Sequence, residues 1–382
     1  MEKFDWLSTI KTNIWLLHIV GLWPKDNQTY KCNYYTLYAL SSGICFTVGH
    51  NLLQTINLFY IYNNLEVLTA SIFVSLTQFI GIFKSLFIVK NIKTLKDLMD
   101  SLKSDTFQPK NRRQRELAQI SLDGWQTMFH FFCGVGGFTV LILSVFPFLD
   151  QSFKQYRLPF LVWYPYDTNI SPFYEITYLY QALCCYFISV VNMMTDTLIA
   201  ALNMYIGAQC DILCDTIRHI NGPDKELDVM WLNCIIHHRK ILRFADCSQQ
   251  YFNWIVLLQF AASVVSIGLS MFQLTVVVPF TSVFYTFCSY VVAIALETFI
   301  YCWYGNQVEL KSSEIMYATF ESNWVDAPID IKKKIQFFSL RCQKPIKMSS
   351  LKIFYLTLET FMKILQTSWS YFALLHQVNS KK

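Results

Sequence analysis

Residues 350–378 read SLKIFYLTLETFMKILQTSWSYFALLHQV, an apolar stretch long enough to cross a bilayer, which takes about 20 residues of helix. The stretch nevertheless carries ionisable and amide side chains, which are costly in hydrocarbon unless protein or water satisfies them. These side chains are Lys352, Glu359, Lys363, Gln366, His376 and Gln377. We therefore expect a membrane helix that faces a pore or a polar subunit contact.

The composition of the whole chain is that of a membrane protein. Of the 382 residues, 54% are apolar and only 15% are charged. The mean hydropathy is +0.32, which is too apolar for a soluble protein of this size. The net charge of +5 does not point to nucleic acid as a partner, because basic residues in membrane proteins mark cytoplasmic loops. The expected fold class is an all-α, multi-pass membrane protein embedded in the lipid bilayer.

Seven windows of the sequence are long and apolar enough to span the bilayer. They are 34–62, 65–90, 128–147, 174–206, 251–273, 280–303 and 350–378. A shorter apolar run at 12–24 ends in Gly21 and Pro24, and a run of this length more often forms an interfacial or re-entrant helix than a span. The sequence therefore predicts seven transmembrane helices preceded by a short re-entrant helix.

The distribution of Lys and Arg sets the expected orientation, because basic residues concentrate in cytoplasmic loops. Four segments hold 24 basic residues, namely 1–33, 90–127, 207–250 and 304–349. The alternate segments hold four, namely Lys154, Arg157, Lys381 and Lys382. We therefore expect a cytoplasmic N-terminus and an extracellular C-terminus. Of the two glycosylation sequons, Asn27 would then lie in the cytosol and Asn169 in an outer loop.

The windows divide the chain into six segments. They are a cytoplasmic N-terminus with the short helix (1–33), the first four spans (34–206), a cytoplasmic extension (207–250), the fifth and sixth spans (251–303), a second cytoplasmic segment (304–349) and the last span (350–378). The segments 207–250 and 304–349 mix apolar and charged residues at helical spacing. A helical bundle at which subunits meet and a solvated amphipathic loop fit this spacing about equally well.

Cysteine positions and catalytic motifs favour neither a metal site nor an enzyme. None of the twelve cysteines falls in an outer loop of this map, which excludes a disulfide-bonded ectodomain. Cys210, Cys214, Cys234, His237 and His238 are close in sequence but lack the paired Cys-x-x-Cys spacing of a zinc site. We find neither a glycine-rich phosphate loop nor a nucleophile motif, so we expect no enzymatic activity and no cofactor.

Ionisable residues also lie within the other spans. Asp196 and Glu297 lie toward the cytoplasmic ends of the fourth and sixth spans, and for both a structural hydrogen-bonding role is favoured over a role in transport. Lys84 lies one turn from the cytoplasmic end of the second span, and we expect its ammonium group to snorkel to water.

Two other classes of polytopic protein receive little support. No pair of spans forms an inverted repeat, so internal symmetry does not favour a transporter. The third span ends SVFPFLD without an Asp-Arg-Tyr triplet, and the chain ends HQVNSKK without an Asn-Pro-x-x-Tyr motif. Together with the charge map, these absences disfavour a G-protein-coupled receptor, which remains a less favoured alternative.

The C-terminal third carries an ordered series of short motifs. They are Tyr301-Cys302-Trp303-Tyr304-Gly305-Asn306, Ser312-Ser313, Ala318, Trp324, Gln343-Lys344-Pro345, Leu358-Glu359-Thr360-Phe361 and Gln366-Thr367-Ser368-Trp369-Ser370-Tyr371-Phe372-Ala373-Leu374-Leu375. The series resembles the signatures of insect odorant receptors, and Gly21-Leu22-Trp23-Pro24 is similar to the N-terminal motif of that family. The sister gustatory receptors are the nearest alternative, because their C-terminal motif is similar to Ser370-Tyr371 and Gln377-Val378. The chain lacks the long second cytoplasmic loop of the shared co-receptor, so it resembles a ligand-specific tuning subunit.

The resemblance implies a mechanism. Members of this family form tetrameric, ligand-gated, non-selective cation channels in the plasma membrane of sensory neuron dendrites, and a tuning subunit assembles with the co-receptor. The last helix of each subunit lines a central pore, and cytoplasmic helices hold the subunits together. Carried onto this sequence, the resemblance places Leu374, Gln377 and Val378 in the extracellular part of the pore. Apolar Leu374 and Val378 could close the path by dewetting, and Gln377 could offer an amide to a hydrated cation.

The resemblance also places an odorant site in the outer half of the subunit, among the second, third, fourth and sixth spans. The side chains there are apolar or aromatic with a few hydroxyl and amide groups, which suits a small volatile molecule bound mainly by burial. The candidate ligand-binding residues are Ile72, Phe73, Leu76, Gly137, Val140, Leu141, Ser144, Tyr178, Gln181, Cys185, Phe284, Phe287 and Cys288. Gly136 and Gly137 are expected to leave room for the ligand.

Overall fold

The computed structural model describes residues 3–25, 30, 33–63, 65–149 and 151–379. Within these ranges the chain forms ten α-helices and one antiparallel two-stranded sheet. The elements are α1 Lys11–Ile19, α2 Tyr34–Gly43, α3 His50–Ile61, α4 Leu65–Ser101, α5 Arg112–Leu149, α6 Phe173–Arg218, α7 Asp224–Val276, α8 Ser282–Glu321, α9 Ile329–Cys342, β1 Ser349–Ser350, β2 Phe354–Tyr355 and α10 Leu358–Asn379. Asn27, Lys381 and Lys382 lie outside the described residues.

Five helices, α4 to α8, are long and apolar enough to cross a membrane. They confirm the predicted windows from 65–90 to 280–303. The first window is helical as well, but it is divided into α2 and α3 by a π-helical turn at Ile44–Gly49. In that turn the Thr47 hydroxyl donates to the carbonyl of Gly43. We call the end of the bundle that holds the α6–α7 connection (219–223) and α9 the inner end, and the opposite end, with the 151–172 loop, the outer end.

The last helix is shorter than the sequence predicts, because α10 begins at Leu358 and not at residue 350. Residues 349–355 form a hairpin in which Ser349 pairs with Tyr355 and Ser350 with Phe354. Leu351 and Lys352 at the turn have φ angles of 50° and 60°, a left-handed conformation that cannot continue a right-handed helix. Lys352 therefore lies in the hairpin and not in the last membrane helix.

Helix α6 is the centre of the bundle. Every residue from 194 to 210 is buried, and α6 contacts α1, α4, α5, α7 and α8. A membrane helix with polar residues such as Asp196 and Gln209 within its apolar sequence is stable where neighbouring helices, and not lipid, surround it. Small residues such as Ala200, Ala201 and Ala208, all at most 1% exposed, let those neighbours approach closely.

The segments beyond the predicted spans at the inner end are helical. Helix α6 continues to Arg218 and α7 starts at Asp224, so residues 207–250 form two helical extensions joined by a short connection. Helix α9 packs beside them, with the ring of Phe338 5.3 Å from His238 and 6.1 Å from Trp231 between centroids. The inner end is therefore a packed helical bundle and not a solvated loop.

The N-terminal helix α1 lies against α6. Asn13 is fully buried and donates to the Thr197 hydroxyl at 2.6 Å. The Tyr205 hydroxyl of α6 donates to the carbonyl of Trp6 at 2.9 Å. These contacts dock the segment before the first span onto the centre of the bundle, and its re-entrant position in a bilayer stays a prediction.

Candidate ligand-binding cavity

Two adjoining cavities lie in the outer half of the bundle. The upper cavity, of about 360 Å³, is bounded by α4, the ends of α7 and α8 that face the outer end, and the loop 157–161. The lower cavity, of about 130 Å³, lies between α4, α5, α6 and α8. Four side chains belong to both walls, namely Phe73, Val74, Leu143 and Phe160. A concave, largely apolar site among membrane helices is where a small ligand binds most readily.

Aromatic side chains form the wall between the cavities and the rest of the bundle. Phe73 lies between Phe287 and Tyr290 of α8, with ring centroids 5.3 Å and 4.6 Å apart respectively. Phe73, Phe287 and Leu269 of α7 form a buried cluster. Tyr371 and Leu375 of α10 pack against this cluster. The cavity wall is thus one packing layer away from the last helix.

The roof of the cavities is the loop segment 157–161, which α6 holds in place. Gln181 is fully buried, and its Oε1 accepts from the backbone N–H of Phe160 at 3.0 Å while its Nε2 donates to the Phe160 carbonyl at 3.1 Å. A pair of hydrogen bonds to one residue fixes both the position and the orientation of that peptide. The Gln181 amide therefore positions a wall residue.

The structure brings some of the sequence-predicted ligand residues to the cavities and places others elsewhere. Phe73, Val140, Cys185 and Phe287 line them. The remaining nine are outside the linings, namely Ile72, Leu76, Gly137, Leu141, Ser144, Tyr178, Gln181, Phe284 and Cys288. Among these nine, the Tyr178 hydroxyl donates to the Ser144 carbonyl at 2.6 Å, and Leu141 is 49% exposed on the surface of α5.

The two adjacent glycines of α5 have different surroundings. Gly136 lines the lower cavity, and a Cβ there would lie 2.4 Å from Sδ of Met193. A Cβ on Gly137 would have no heavy atom within 4 Å. Gly136 therefore leaves space that the Met193 side chain of α6 occupies, whereas Gly137 faces away from this contact.

Sequence reasoning missed the polar floor of the lower cavity. Asn192, Asp196 and Glu297 line its inner end. Lys84 is fully buried, and its ammonium lies 2.5 Å from Oδ1 of Asp196 and 3.2 Å from Oε1 of Glu297. The Tyr301 hydroxyl donates to the same Asp196 oxygen at 2.5 Å.

These contacts test two predictions about the intramembrane charges. The structural role predicted for Asp196 and Glu297 is confirmed, because both carboxyl groups bind Lys84. The prediction that Lys84 snorkels is wrong. Its two carboxyl partners lie within the bundle, so the ammonium is compensated there and does not have to reach water. The spacing of Asn192 and Asp196, one turn apart in an apolar helix, is the sequence signal that could have located this floor.

The predicted pore residues lie on the outside of the bundle. Leu374 is 56% exposed and Val378 is 47% exposed, and Gln377 is also exposed. Within the described helix α10 only Ile364 and Ser368 are buried. His376 lies next to Phe372, with ring centroids 6.0 Å apart. These residues therefore form a surface that a single chain leaves open.

A larger hollow of about 860 Å³ lies at the other end of α10, between α7, α8 and the hairpin. Its lining includes Glu309, Lys347, Glu359 and Lys363. Lys347 pairs with Glu309 at 2.9 Å and Lys363 with Glu359 at 2.6 Å. Such a charged, water-accessible lining suits an apolar volatile ligand less well than the outer cavities do.

These features define a multi-pass helical membrane protein with a largely apolar cavity in its outer half. The model of the family described as 7tm Odorant receptor matches residues 64–369. The chain belongs to this family, the insect odorant receptors, and the predicted family membership is confirmed.

Relatives and solved structures agree with this assignment. Odorant receptor Or1 of Anopheles gambiae is 25% identical over all of this chain and 98% of its own length. Odorant receptor 46a, isoform A, of Drosophila melanogaster is 22% identical over 95% of this chain and 96% of its own length. The solved structure of the olfactory receptor OR5 from Machilis hrabei in complex with eugenol superimposes with a TM-score of 0.86. That structure is 20% identical and covers 98% of this chain and 100% of its own, so it supports the fold.

Proposed function

We propose that this chain is the ligand-specific, tuning-type subunit of an odorant-gated, non-selective cation channel. It binds a small volatile odorant in the two outer cavities and opens a central pore that it forms with an olfactory co-receptor. The observation that carries the proposal is the cluster of Phe73, Leu269 and Phe287, because it joins the cavity wall to Tyr371 and Leu375 of α10.

The chemistry of the cavities supports a volatile ligand. The walls are formed mainly by apolar and aromatic side chains of four helices and the roof loop. Burial of apolar surface contributes about 25 cal/mol per Å², so a small molecule with few polar atoms can bind here without a charged anchor. The related receptor from Machilis hrabei was solved with eugenol, a ligand of this general kind.

The route from cavity to pore is short. A ligand between Phe73 and Phe287 changes how these rings pack on Leu269, and Leu269 belongs to the cluster on which α10 packs. Gating then requires that the ligand bind the open arrangement more tightly than the closed one, and about 1.4 kcal/mol of difference changes the ratio of the two tenfold. A ligand with equal affinity for the open and the closed arrangement does not open the pore.

The exposed surface of α10 supports assembly around a shared axis. Leu374, Gln377 and Val378 are exposed on the surface of α10 in the single chain, and in a tetramer this surface would face the pore. There Leu374 and Val378 form the apolar constriction and Gln377 offers its amide to hydrated cations. The helical segments in 207–250 and 304–349 would hold the subunits together in the cytosol.

The proposal is tested by electrical recording from cells that express the chain with an olfactory co-receptor. We expect a screen of volatiles to find one that evokes non-selective cation currents without added nucleotides or G proteins. A C-terminal epitope tag should be accessible on intact cells. Failure of every volatile despite surface expression, or a tag accessible only after permeabilisation, would exclude the proposal.

A matched pair of substitutions on α4 links the currents to the cavity. Phe73 is 5% exposed and lines both cavities, whereas Phe79 is 55% exposed on the surface of the same helix. Phe73→Ala should raise the odorant concentration for half-maximal current at least about tenfold, since it removes a large buried contact. Phe79→Ala should leave that concentration unchanged.

A further inference from the structure

The floor of the lower cavity holds polar atoms that the fold does not use. Within the described part of the chain, Asn192 Oδ1, Asn192 Nδ2 and Asp196 Oδ2 are buried without a hydrogen-bond partner. Asn192 is 9% exposed and Asp196 is 2% exposed. The two residues lie one helical turn apart on α6 and both line the lower cavity.

These unpaired atoms need an explanation, because a buried polar group without a partner costs free energy. One oxygen of Asp196, Oδ1, already serves the fold, since it binds both Lys84 and Tyr301. The whole Asn192 amide remains available, and no donor among the described residues binds Asp196 Oδ2, although the carboxyl group of Glu297 lies against the Asp196 side chain. A ligand that enters the cavity can supply the missing partners.

The charges of the floor determine what kind of partner is missing. One ammonium, that of Lys84, binds two carboxyl groups, those of Asp196 and Glu297. A carboxylate oxygen accepts hydrogen bonds and does not donate them, while an amide does both. Asp196 Oδ2 can therefore be paired only by a hydrogen-bond donor. The Asn192 amide beside it can either accept a hydrogen bond or donate one. A head group that only accepts, such as an ether oxygen, would leave that oxygen unpaired and repelled by a negative neighbour.

The shape of the two cavities fits an elongated molecule with its polar end inward. The upper cavity of about 360 Å³ adjoins the lower one of about 130 Å³ through the shared side chains of Phe73, Val74, Leu143 and Phe160. Apart from its floor, the lower cavity is lined mainly by apolar groups such as Phe132, Val140 and Ile188. An apolar body can thus fill the upper cavity while a small head group reaches α6.

We propose that this receptor selects odorants that carry a hydroxyl or amino group on an apolar body, with the donor bound to Asp196 Oδ2 and Asn192. Asn192 and Asp196 are then specificity-determining residues. The inference rests on the proposed odorant-receptor function, but it concerns binding and not gating.

The test measures binding directly on the purified complex of this chain with the co-receptor. The probes are n-hexanol, hexylamine, methyl pentyl ether and heptane, which have the same number of non-hydrogen atoms. A ligand that binds the folded state raises the melting temperature as a function of its concentration, so the four titrations give apparent affinities. Asn192→Leu replaces the amide by an apolar group with the same number of non-hydrogen atoms. Leu183→Met is the control, an apolar exchange at a 48% exposed residue of α6 that is outside both cavity linings.

We expect the alcohol or the amine to bind at least about tenfold more tightly than the ether and the alkane in the wild type and in Leu183→Met, because a site built around a hydrogen bond rejects an analogue that lacks the donor. The preference should fall severalfold in Asn192→Leu, which removes one of the two groups that bind the donor and leaves Asp196 Oδ2. That variant without ligand should melt at or above the wild-type temperature, since an unpaired buried amide has been removed. A purely structural amide would instead make Asn192→Leu less stable.

Equal affinities for hexanol, hexylamine and the ether in the wild type would overturn the inference, and so would a preference that is undiminished in Asn192→Leu. If water bound the polar floor and no ligand group replaced it, the alcohol, the amine and the ether would again bind with equal affinity. Glu297→Gln provides a second variant in case Asn192→Leu fails to fold. It keeps the Lys84–Asp196 pair and should weaken the preference without abolishing it. The proposed channel function is tested separately, by recording odorant-evoked currents. Failure of the donor selectivity can therefore be distinguished from failure of the channel function.

Discussion

Helices α6 and α10 are both predicted membrane spans, yet they occupy opposite positions in the bundle. Every residue of α6 from 194 to 210 is buried, whereas among the described residues of α10 only Ile364 and Ser368 are buried. Both helices carry polar and charged side chains. Hydrophobicity alone therefore does not decide which of them becomes the core.

The difference lies in where the polar groups of each helix find partners. On α6, Asp196 binds Lys84 of α4 and Tyr301 of α8, and Gln209 accepts from His237 of α7. On α10, the hydroxyl groups of Thr367, Ser368 and Ser370 donate to carbonyls of their own helix, and Lys363 pairs with Glu359 one turn away.

The two helices should differ in how easily they can be displaced. Asp196 and Gln209 tie α6 to α4, α7 and α8, so displacing it breaks hydrogen bonds in a medium of low dielectric constant. On α10, the hydroxyl bonds of Thr367, Ser368 and Ser370 and the Lys363–Glu359 pair lie within the helix and move with it. A shift of α10 against α7 keeps these bonds, as the proposed gating helix requires, whereas a shift of α6 breaks those of Asp196 and Gln209.

The largest effect is expected from removing the cation that ties α6 to α4. Lys84→Met leaves the carboxyl groups of Asp196 and Glu297 buried without their partner, and breaking a buried ion pair in this way costs about 3–5 kcal/mol. We expect a loss of folded protein at the cell surface and a lower melting temperature in detergent. Lys90→Met is the matched control, because Lys90 is exposed on the same helix, and it should change stability by less than about 0.5 kcal/mol.

A triple variant distinguishes lost pairing from lost packing. Lys84→Met combined with Asp196→Asn and Glu297→Gln removes the charges at similar volume, and replacing a whole buried ion pair is often close to neutral. The triple variant should therefore recover much of the stability. If Lys84→Met alone melts like the wild type, the ion cluster does not fix α6, and the proposed contrast with α10 fails.

The next largest effect is expected where α10 crosses α7. A Cβ on Gly268 would lie 2.5 Å from Cδ1 of Tyr371 and 3.2 Å from the carbonyl oxygen of Ser368. Gly268→Ala should therefore push α10 away from α7, with an overpacking cost of about 1–3 kcal/mol. We expect the odorant-evoked current to fall by a larger factor than the amount of folded protein, because α10 also carries the proposed pore surface.

Gly134→Ala is the control for that substitution. A Cβ on Gly134 would have no heavy atom within 4 Å, and alanine is favoured over glycine in a helix by about 0.5–1 kcal/mol. The control should be at least as stable as the wild type. Equal currents from Gly268→Ala and Gly134→Ala, normalised to surface protein, would show that the α7–α10 crossing does not control the pore.

A smaller effect separates two neighbouring leucines of α10. Leu375 packs against the cluster of Phe73, Leu269 and Phe287, so Leu375→Ala should lower stability by about 1–2 kcal/mol, a fraction of the cost at a fully buried leucine. Leu374 is 56% exposed, so Leu374→Ala should leave the melting temperature unchanged. Its effect should appear instead as altered gating or ion selectivity in recordings.

Bulky substitutions extend this comparison to the whole proposed pore surface. Tryptophan at Leu374, Gln377 or Val378 should reduce single-channel conductance while leaving the folded amount unchanged. Normal conductance and selectivity in all three variants would contradict the proposal that these residues line the pore. The exposure of α10 in the single chain would then need another explanation.

The sequence predicts the parts of this fold that depend on local composition. Long apolar runs identify α4 to α8, and the motif series identifies the family. The start of α10 could not be predicted in this way. The chain turns at Leu351 and Lys352 with positive φ angles, and neither residue type signals such a turn.

The candidate site shows a similar division. Phe73 and Phe287 could be chosen from helix faces because large apolar residues at helical spacing point to one side. Helix faces predict the polar lining residues less well. Gln181, for example, is predicted to contact the ligand, but its amide binds the backbone of Phe160. The roof loop 157–161 is irregular, and the ion cluster joins residues 112 and 213 positions apart, so neither follows from periodicity.

The smallest effect near neutral pH concerns the inner end of α6, where Gln209 accepts from Nε2 of His237 at 2.9 Å. His237 belongs to the part of α7 that precedes the predicted span 251–273. Its burial, together with the charges of Lys110, His238 and Lys240, lowers the pKa of His237 to about 3. The unfolded chain has an ordinary histidine pKa of about 6.5, so the unfolded state binds the proton more readily.

The sign of the pH dependence follows from that difference. The stability linked to His237 is complete above about pH 6.5 and is lost progressively as the pH falls toward the folded pKa, with a loss of about 1.4 kcal/mol for each unit below 6.5. His237→Gln keeps a donor for Gln209 but cannot titrate, so its melting temperature should fall less than that of the wild type between about pH 7.5 and 5.5. His238, whose pKa burial lowers to about 4, accounts for a remaining slope. Parallel losses in the wild type and His237→Gln would mean that this end of α6 is open to water, and that the contrast between the fixed and the movable helix does not extend beyond the membrane.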